Sequence, residues 1–407
     1  TATPTPIPTA TPTPIPTATP TPAPCITPPA VSGNQASQLT ARHYEGQTLL
    51  TWNEVSEVTS AVSDAMTVRQ VKDLRTSLKS ISYRIYRSTA PITSVTVHTP
   101  IKTVEVLSGW DDEHYGREYD GINKQPCPRF VVTKDTNDIA ASPVSASTAV
   151  SAYNPEEGGT AYYVVTVVRN GVEETLVGSD NTVMVYETVG QGIPILQKVT
   201  TETNYFYTTG ISTHYYYTRW ESPPNSNVQG RPQDYKVIVP QGYNANTPAA
   251  VNMSFHGWGS SMHGNSAWWF NNKKGTISIT MNQFPYDWWT GYHEKYGIGE
   301  RSQKNWSSGV VRPYTQNRLN SFYDWAATKW SFDSSRTISA GVSMGGSGSI
   351  MYGIRNPDRV AWVHSWVGVH VPAESPTVKS SYQNVYGQLE WQIKYEDGIT
   401  PAFSFYD

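Results

Sequence analysis

Two stretches of this chain combine residue types at a spacing suited to acyl transfer. In "SAGVSMGGSGSI" (339–350), Ser343 stands in the pentapeptide Gly-Val-Ser-Met-Gly, with Gly341 and Gly345 two residues to either side. A serine hydroxyl becomes a nucleophile when a base takes its proton and the backbone presents it outward. Flanking glycines relieve the crowding at the sharp turn this requires. In "FHGWG" (255–259), His256 is followed by Gly257, Trp258 and Gly259. Glycines there let backbone N–H groups come close to a reacting carbonyl and hold the oxyanion it becomes. The chemistry in prospect is attack of Ser343 on a carbonyl. The N–H groups of Met344 and of Gly257 or Trp258 would receive the developing charge.

Such chemistry needs rigid elements behind it. "RTISAGV" (336–342) is a short apolar run of the buried-strand kind, and "GGSGSIMYGIRNPD" (345–358) reads as a helix halted at Asn356-Pro357. Ser343 therefore falls between a strand and a helix whose positive dipole end faces it. "DYKVIVPQGY" (234–243), "AAVNMSFHGWGSS" (249–261), "GTISITMNQF" (275–284), "VAWVHSWVGV" (360–369) and "PAFSFYD" (401–407) read as further strands. "TQNRLNSFYDWAATKW" (315–330) reads as a helix with Leu319, Phe322, Tyr323, Ala326 and Trp330 on one face. Alternation of strands and helices predicts an α/β domain over 193–407, built on a doubly wound, mostly parallel sheet.

A strand, a Gly-x-Ser-x-Gly turn and a helix together form the context of a nucleophile elbow, and the His-Gly-x-Gly turn ends the strand two elements earlier. On these two motifs, residues from about 230 to 407 resemble the α/β-hydrolase superfamily, in particular secreted feruloyl and acetyl xylan esterases and polyhydroxyalkanoate depolymerases. The resemblance implies Ser343 as nucleophile, an oxyanion hole from Met344 with Gly257 or Trp258, and a structural role for His256. It also implies the chain order serine, acid, histidine. Asp407, at the end of the last expected strand, is the candidate acid. His364 and His370 precede any acid position, so the order is wrong for both, and the chain is expected to stop short of its catalytic histidine. No cofactor or metal is called for.

The aromatic run "YDWWTGYHEKYG" (286–297) follows a strand at the edge where such a site opens. Trp288, Trp289, Tyr292 and His293 read either as a stacking platform for sugar rings or an aromatic acyl group, or as a packed loop.

Residues 31–192 read as an all-β domain. "TLLTWNEV" (48–55) and "SYRIYRSTAPI" (82–92) are strands, and "TAYYVVTVVRNGVEETLVGSDNTVMVY" (160–186) is a hairpin about Asn170-Gly171. The Trp52 strand, the Tyr-x-x-Tyr-Arg strand and the last hairpin resemble a fibronectin type III sandwich. Residues 93–155 are too long for that pattern and imply an insertion. Within it, "WDDEHYGREYDG" (110–121) carries Asp111, Asp112, Glu113 and Asp120, carboxylates of the kind a hard cation takes. Their spacing fits no calcium-loop motif, so the stretch reads as a solvated acidic loop.

Composition narrows the partner. The net charge is −3 over 407 residues, which gives no basic surface for nucleic acid or an anionic membrane. No apolar run is long enough to span a bilayer. Charged residues make up only 15%, while Trp (14) and Tyr (26) are abundant, a balance suited to an uncharged, hydroxyl-rich polymer such as a polysaccharide. Residues 1–30 open with three octets, TATPTPIP, TATPTPIP and TATPTPAP, an extended Thr/Pro spacer like the linkers of secreted modular enzymes. A spacer joins modules, so a further module N-terminal to it and an extracellular setting are expected. Cys25 and Cys127 are either a disulfide pair or two thiols. The leading expectation is a secreted serine esterase on polysaccharide-linked esters. A peptidase or acyltransferase on the same fold, and a non-catalytic binding protein, are the alternatives.

Overall fold

The computed structural model describes residues 34–204, 210–264, 275–297, 306–371 and 373–404. The Thr/Pro spacer, Cys25 and Asp407 lie outside them.

The N-terminal half is built from two antiparallel sheets. One has the order β1 (Ser37–Tyr44), β2 (Gln47–Asn53), β5 (Thr148–Tyr153). The other has the order β4 (Lys102–Glu105), β3 (Ile81–Ser88), β6 (Gly159–Arg169). Strand β6 carries β7 (Val172–Glu173) at its end and β8 (Thr182–Glu187) along its first half. The expected Asn170-Gly171 turn is present, with φ of +50° and +81°, the positive values a two-residue hairpin turn demands. Its return strand is only two residues long. Period-two alternation sends Ile81, Tyr83 and Ile85 inward, where Tyr83 meets Trp52 edge to face at 5.3 Å. Two short helices, α1 (Ser56–Thr59) and α2 (Val68–Ser77), close one end. Thr67 and Gln70 cap α2 reciprocally.

The long connection 106–147 between β4 and β5, which includes α3 (Tyr119–Lys124), is not a solvated acidic loop. Asp111 is buried and Asp112 and Glu113 are partly buried. The segment leans on the C-terminal half, where Asn282 Nδ2 donates to the carbonyls of Glu113 (3.2 Å) and His114 (2.8 Å).

The C-terminal half is organised by a seven-stranded sheet. Its strands are β9 (Ile195–Asn204), β10 (Gly210–Glu221), β11 (Arg231–Pro240), β12 (Ala249–Phe255), β13 (Ile277–Met281), β16 (Phe332–Val342) and β17 (Trp362–Trp366), in the order β17-β16-β12-β13-β11-β10-β9. The short strands β14 (Tyr292–His293), β15 (Val310–Arg312) and β18 (Lys394–Tyr395) form a separate small sheet. Strands β13, β12, β16 and β17 are mutually parallel, but β11, β10 and β9 run antiparallel in turn. The sheet is therefore mixed, not mostly parallel. The links 205–209 and 222–230 are shorter than the dozen or so residues a parallel crossover needs, so these strands can only meander.

Helix α4 (Tyr314–Lys329) packs its predicted apolar face on the sheet, with Phe322 stacked on Tyr235 at 4.0 Å. Helix α5 (Met344–Arg355) crosses from β16 to β17, and α6 (Lys379–Tyr386) covers the 288–293 turn. The strand expected at 401–407 is not one over its described part: Ala402–Ser404 form a 3-10 turn. The two halves meet through an apolar cluster that includes Leu49, Phe130, Val150, Ile195 and Trp220.

Glu54 lies 4% exposed at the end of the N-terminal core, where its Oε1 accepts the Leu107 N–H at 2.7 Å. Burial outweighs that bond and pushes its carboxyl up to about 8. A raised folded-state value stabilises fully below the unfolded pKa near 4.5 and is lost as pH rises through about 8. Between those values the wild-type chain is expected to lose roughly 1.4 kcal/mol per pH unit relative to Glu54→Gln, whose neutral amide keeps the acceptor. Paired thermal melts from pH 5 to 8 check this; parallel curves would refute it.

Candidate active site

Ser343 occupies the turn between β16 and α5, with φ +56° and ψ −121°. For a residue with a Cβ this is a strained, glycine-favouring conformation. It throws the side chain clear of both elements, and Ser343 is exposed while its neighbours from Met344 to Ser349 are buried. The backbone is fixed on both sides: Ser343 N–H donates to the Trp366 carbonyl of β17 (2.8 Å), and the Ser347 N–H donates to the Ser343 carbonyl (3.0 Å).

Close backbone approach dictates the flanking glycines. A Cβ on Gly345 would lie 2.0 Å from the Phe255 carbonyl oxygen and 2.9 Å from that of His256. One on Gly341 would lie 2.4 Å from the Gly345 carbonyl and 2.7 Å from that of Phe255. No side chain fits either place. The register Phe255↔Gly341 sets the end of β12 beside the end of β16, so the His256–Gly259 turn emerges next to the serine. A Cβ on Gly257 would stand 3.9 Å from that of Ser343. Met344 opens α5, so its N–H has no intrahelical acceptor. Gly257 and the first residue of α5, Met344, thus both lie beside Ser343.

His256 is committed elsewhere. Gln283 N–H donates to its Nε2 at 3.2 Å, so Nδ1 carries the hydrogen and donates to the Gly257 carbonyl at 2.8 Å. Burial pushes its pKa down to about 4. A neutral imidazole with both nitrogens bonded to backbone shapes the turn and takes no proton from Ser343. Among the described residues the Ser343 hydroxyl makes no hydrogen bond to a histidine or a carboxylate. His364 and His370 are not buried beside it, and Asp407 falls outside the described residues.

The aromatic run at 286–297 is packed, which corrects the stacking platform. Trp289, Tyr292 and His293 are fully buried and Trp288 is 5% exposed. Trp289 lies against Phe255 (4.7 Å) and His256 (4.9 Å), and its Nε1 donates to the His256 carbonyl at 3.1 Å. Gly348 of α5 leaves the space for its ring. Trp288 stacks on Tyr382 of α6 at 5.1 Å, and His293 stacks on Trp306 at 5.4 Å. Trp288 and Trp289 hold φ of +59° and +67°. Asp287 secures this turn by accepting the Trp289 N–H (2.9 Å) and the Thr315 hydroxyl of α4. Burial lifts its carboxyl to about 7. These residues support the His256–Gly259 turn from behind.

Trp258 of the glycine turn, by contrast, is 41% exposed, 5.1 Å from Tyr286. Arg117, from the inserted segment, lays its guanidinium over Trp258 (5.6 Å) and Tyr286 (4.9 Å). Its backbone N–H donates to the Gly259 carbonyl at 3.3 Å, and Glu118 accepts the Ser261 hydroxyl at 2.7 Å. The sequence holds no local signal for this contact, because its two sides are far apart along the chain.

No family model matches the sequence, and no curated protein matches it significantly. Solved structures similar to it include a substrate-bound fluorophosphonate-binding serine hydrolase of Staphylococcus aureus, at 19% identity and a TM-score of 0.32, covering 44% of this chain and 67% of that one. A ferulic acid esterase of the anaerobic fungus Anaeromyces mucronatus is similar at 14% identity and a TM-score of 0.27, covering 50% and 67%. An acetyl xylan esterase of Aspergillus awamori is similar at 14% identity and a TM-score of 0.28, covering 44% of this chain and 56% of that one. At these values the reading of the site rests on its geometry.

The strain at Ser343 is measurable. Ser343→Gly is expected to stabilise the fold by about 1–2 kcal/mol and to raise its melting temperature by a few degrees. Ser343→Ala should bring no such gain. A glycine variant that melts no higher than wild type would show that the turn is unstrained.

Proposed function

We propose that this chain carries the nucleophile and oxyanion hole of a serine carboxylic-ester hydrolase. The observation that carries the reading is Ser343 itself: an exposed serine held at φ +56° between a parallel strand and a helix, beside a glycine turn. No fold requirement calls for a β-carbon in that conformation. Ser343 Oγ would attack the ester carbonyl, with its proton passing to a histidine, while the N–H groups of Met344 and of Gly257 or Trp258 hold the oxyanion. The alcohol leaves, and water then releases the acid from the acyl-enzyme. The histidine and its acid partner belong, in this proposal, to residues outside those described, with Asp407 the candidate acid.

Feruloyl or acetyl groups on a plant polysaccharide are the proposed substrates. The exposed Trp258, with Arg117 and Tyr286 behind it, offers a flat face for a sugar or phenolic ring. Secretion, the spacer role of residues 1–30, and a fibronectin type III identity for the two-sheet half complete the proposal.

Fluorophosphonate labelling of the natural full-length protein tests the reading. Label is expected on Ser343 and should vanish in Ser343→Ala, which should also lower turnover of feruloyl, acetyl or hydroxybutyrate esters by ~10⁴-fold or more. Labelling at another residue, or none, would overturn it.

A further inference from the structure

One cluster of chemistry-bearing side chains has no part in that mechanism. Asp111 and His114 come from the inserted segment, and Asp234 comes from β11 of the large sheet. His114 Nδ1 lies 2.9 Å from Asp111 Oδ2 and 3.5 Å from Asp234 Oδ2, and the side chains of His114, Asp111 and Asp234 are 13, 9 and 6% exposed. One donor atom from each lies within 4.8 Å of the other two. Two ligand atoms at ~2.0–2.1 Å from Zn²⁺ in tetrahedral array stand about 3.3–3.4 Å apart. The imidazole nitrogen already keeps nearly that spacing from both carboxylate oxygens.

The outer contacts orient this set. Thr218 Oγ1 donates to Asp234 Oδ1 at 2.7 Å, which leaves Oδ2 turned toward His114. Asn282 Nδ2 reaches Asp234 Oδ2 at 3.3 Å while also holding the carbonyls of Glu113 and His114 on the inserted segment. A cavity of about 330 Å³ adjoins the cluster, with Asp111, Asp234 and Asn282 in its wall. Ser151, 3% exposed, also lines it, and its Oγ has no hydrogen-bond partner among the described residues. A buried hydroxyl without a partner marks a place for a polar guest, and the cavity has room for the waters that complete a coordination shell.

We propose that Asp111, His114 and Asp234 form a divalent-cation site of Zn²⁺ type that fastens the inserted segment to the large sheet. Ca²⁺ takes six to eight oxygen ligands, whereas a compact set with an imidazole nitrogen suits Zn²⁺. Along the chain, His114 is followed closely by Arg117 and Glu118, which hold the Trp258–Ser261 turn. The ion therefore steadies the rim of the candidate active site without touching Ser343.

Chelator-stripped protein titrated calorimetrically with ZnCl₂ should bind one equivalent. Saturating Zn²⁺ should raise the melting temperature by several degrees, and CaCl₂ should not. His114→Gln and Asp234→Asn should each weaken binding on the order of 100-fold or more. Undiminished binding in these variants, if they fold, overturns the proposal. Anomalous diffraction from the unaltered protein soaked in ZnCl₂ decides independently of any variant. A peak among the three side chains is expected, and its absence, or a peak only at His364 or His370, refutes the site.

Discussion

The candidate site depends on how closely two pieces of backbone approach, the end of β12 and the first turn of α5. Gly345 brings its backbone so near the Phe255 carbonyl that an added Cβ would lie 2.0 Å from the oxygen. That approach draws the helix N-terminus against the sheet. It leaves one residue, Ser343, to reverse the chain from β16 into α5, which is why that residue takes a positive φ. Gly346 extends the constraint to β17, since a Cβ there would meet the Trp366 carbonyl at 2.6 Å. Three neighbouring parallel strands are thus locked to one helix by backbone contact. Ser343 is placed by sterics, with no contribution from its own side chain.

The support behind the His256–Gly259 turn follows from the same constraint. A glycine-rich turn has little packing of its own, so its shape must be set by neighbours. His256 sets it through two backbone hydrogen bonds, and Trp289 sets it through a third. Trp289 reaches its place because Asp287 and Thr315 hold a turn with two consecutive positive φ values, and because Gly348 clears room on α5. The strain at Trp288 and Trp289 is borne by the apolar core that encloses them.

The glycine spacing around Ser343 was legible in the sequence because a steric requirement leaves a residue-type signature at fixed offsets. The α4 face was legible because its helical periodicity reports burial directly. Other features left no such mark. Strands β9 and β10 were not singled out: β10 carries Tyr215, Tyr216, Tyr217 and Trp220, and its last six residues are all buried, so no alternation marks that run. The tryptophans at 288 and 289 look the same in sequence whether solvent or α6 lies over them. Trp288 is buried against Tyr382 and Trp289 against Phe255 and His256, all from distant parts of the chain. The acidic run at 111–113 resembles a solvated loop until Asn282 and Asp234 are brought against it. Local pattern records what an element does to itself, and these residues are defined by partners from elsewhere in the chain.

Burial acts in one direction on most interior titratable groups of this fold. It holds His256 neutral and lifts Glu54 and Asp287 toward their neutral forms. Asp234 is one exception: burial works against its charge, yet bonds from His114 and Thr218 hold its carboxyl below the ordinary carboxylate value. Such a charge persists only where directional partners converge on it, and here they come from different parts of the chain. Apolar packing alone, as in the cluster of Leu49 and Trp220, would press the two halves together yet tolerate small rotations. The contacts among Asp111, His114 and Asp234 do not tolerate them, because a misplaced partner leaves a buried charge uncompensated. The inserted segment, and with it Arg117 over Trp258, is therefore held in register by a polar contact set on an apolar base.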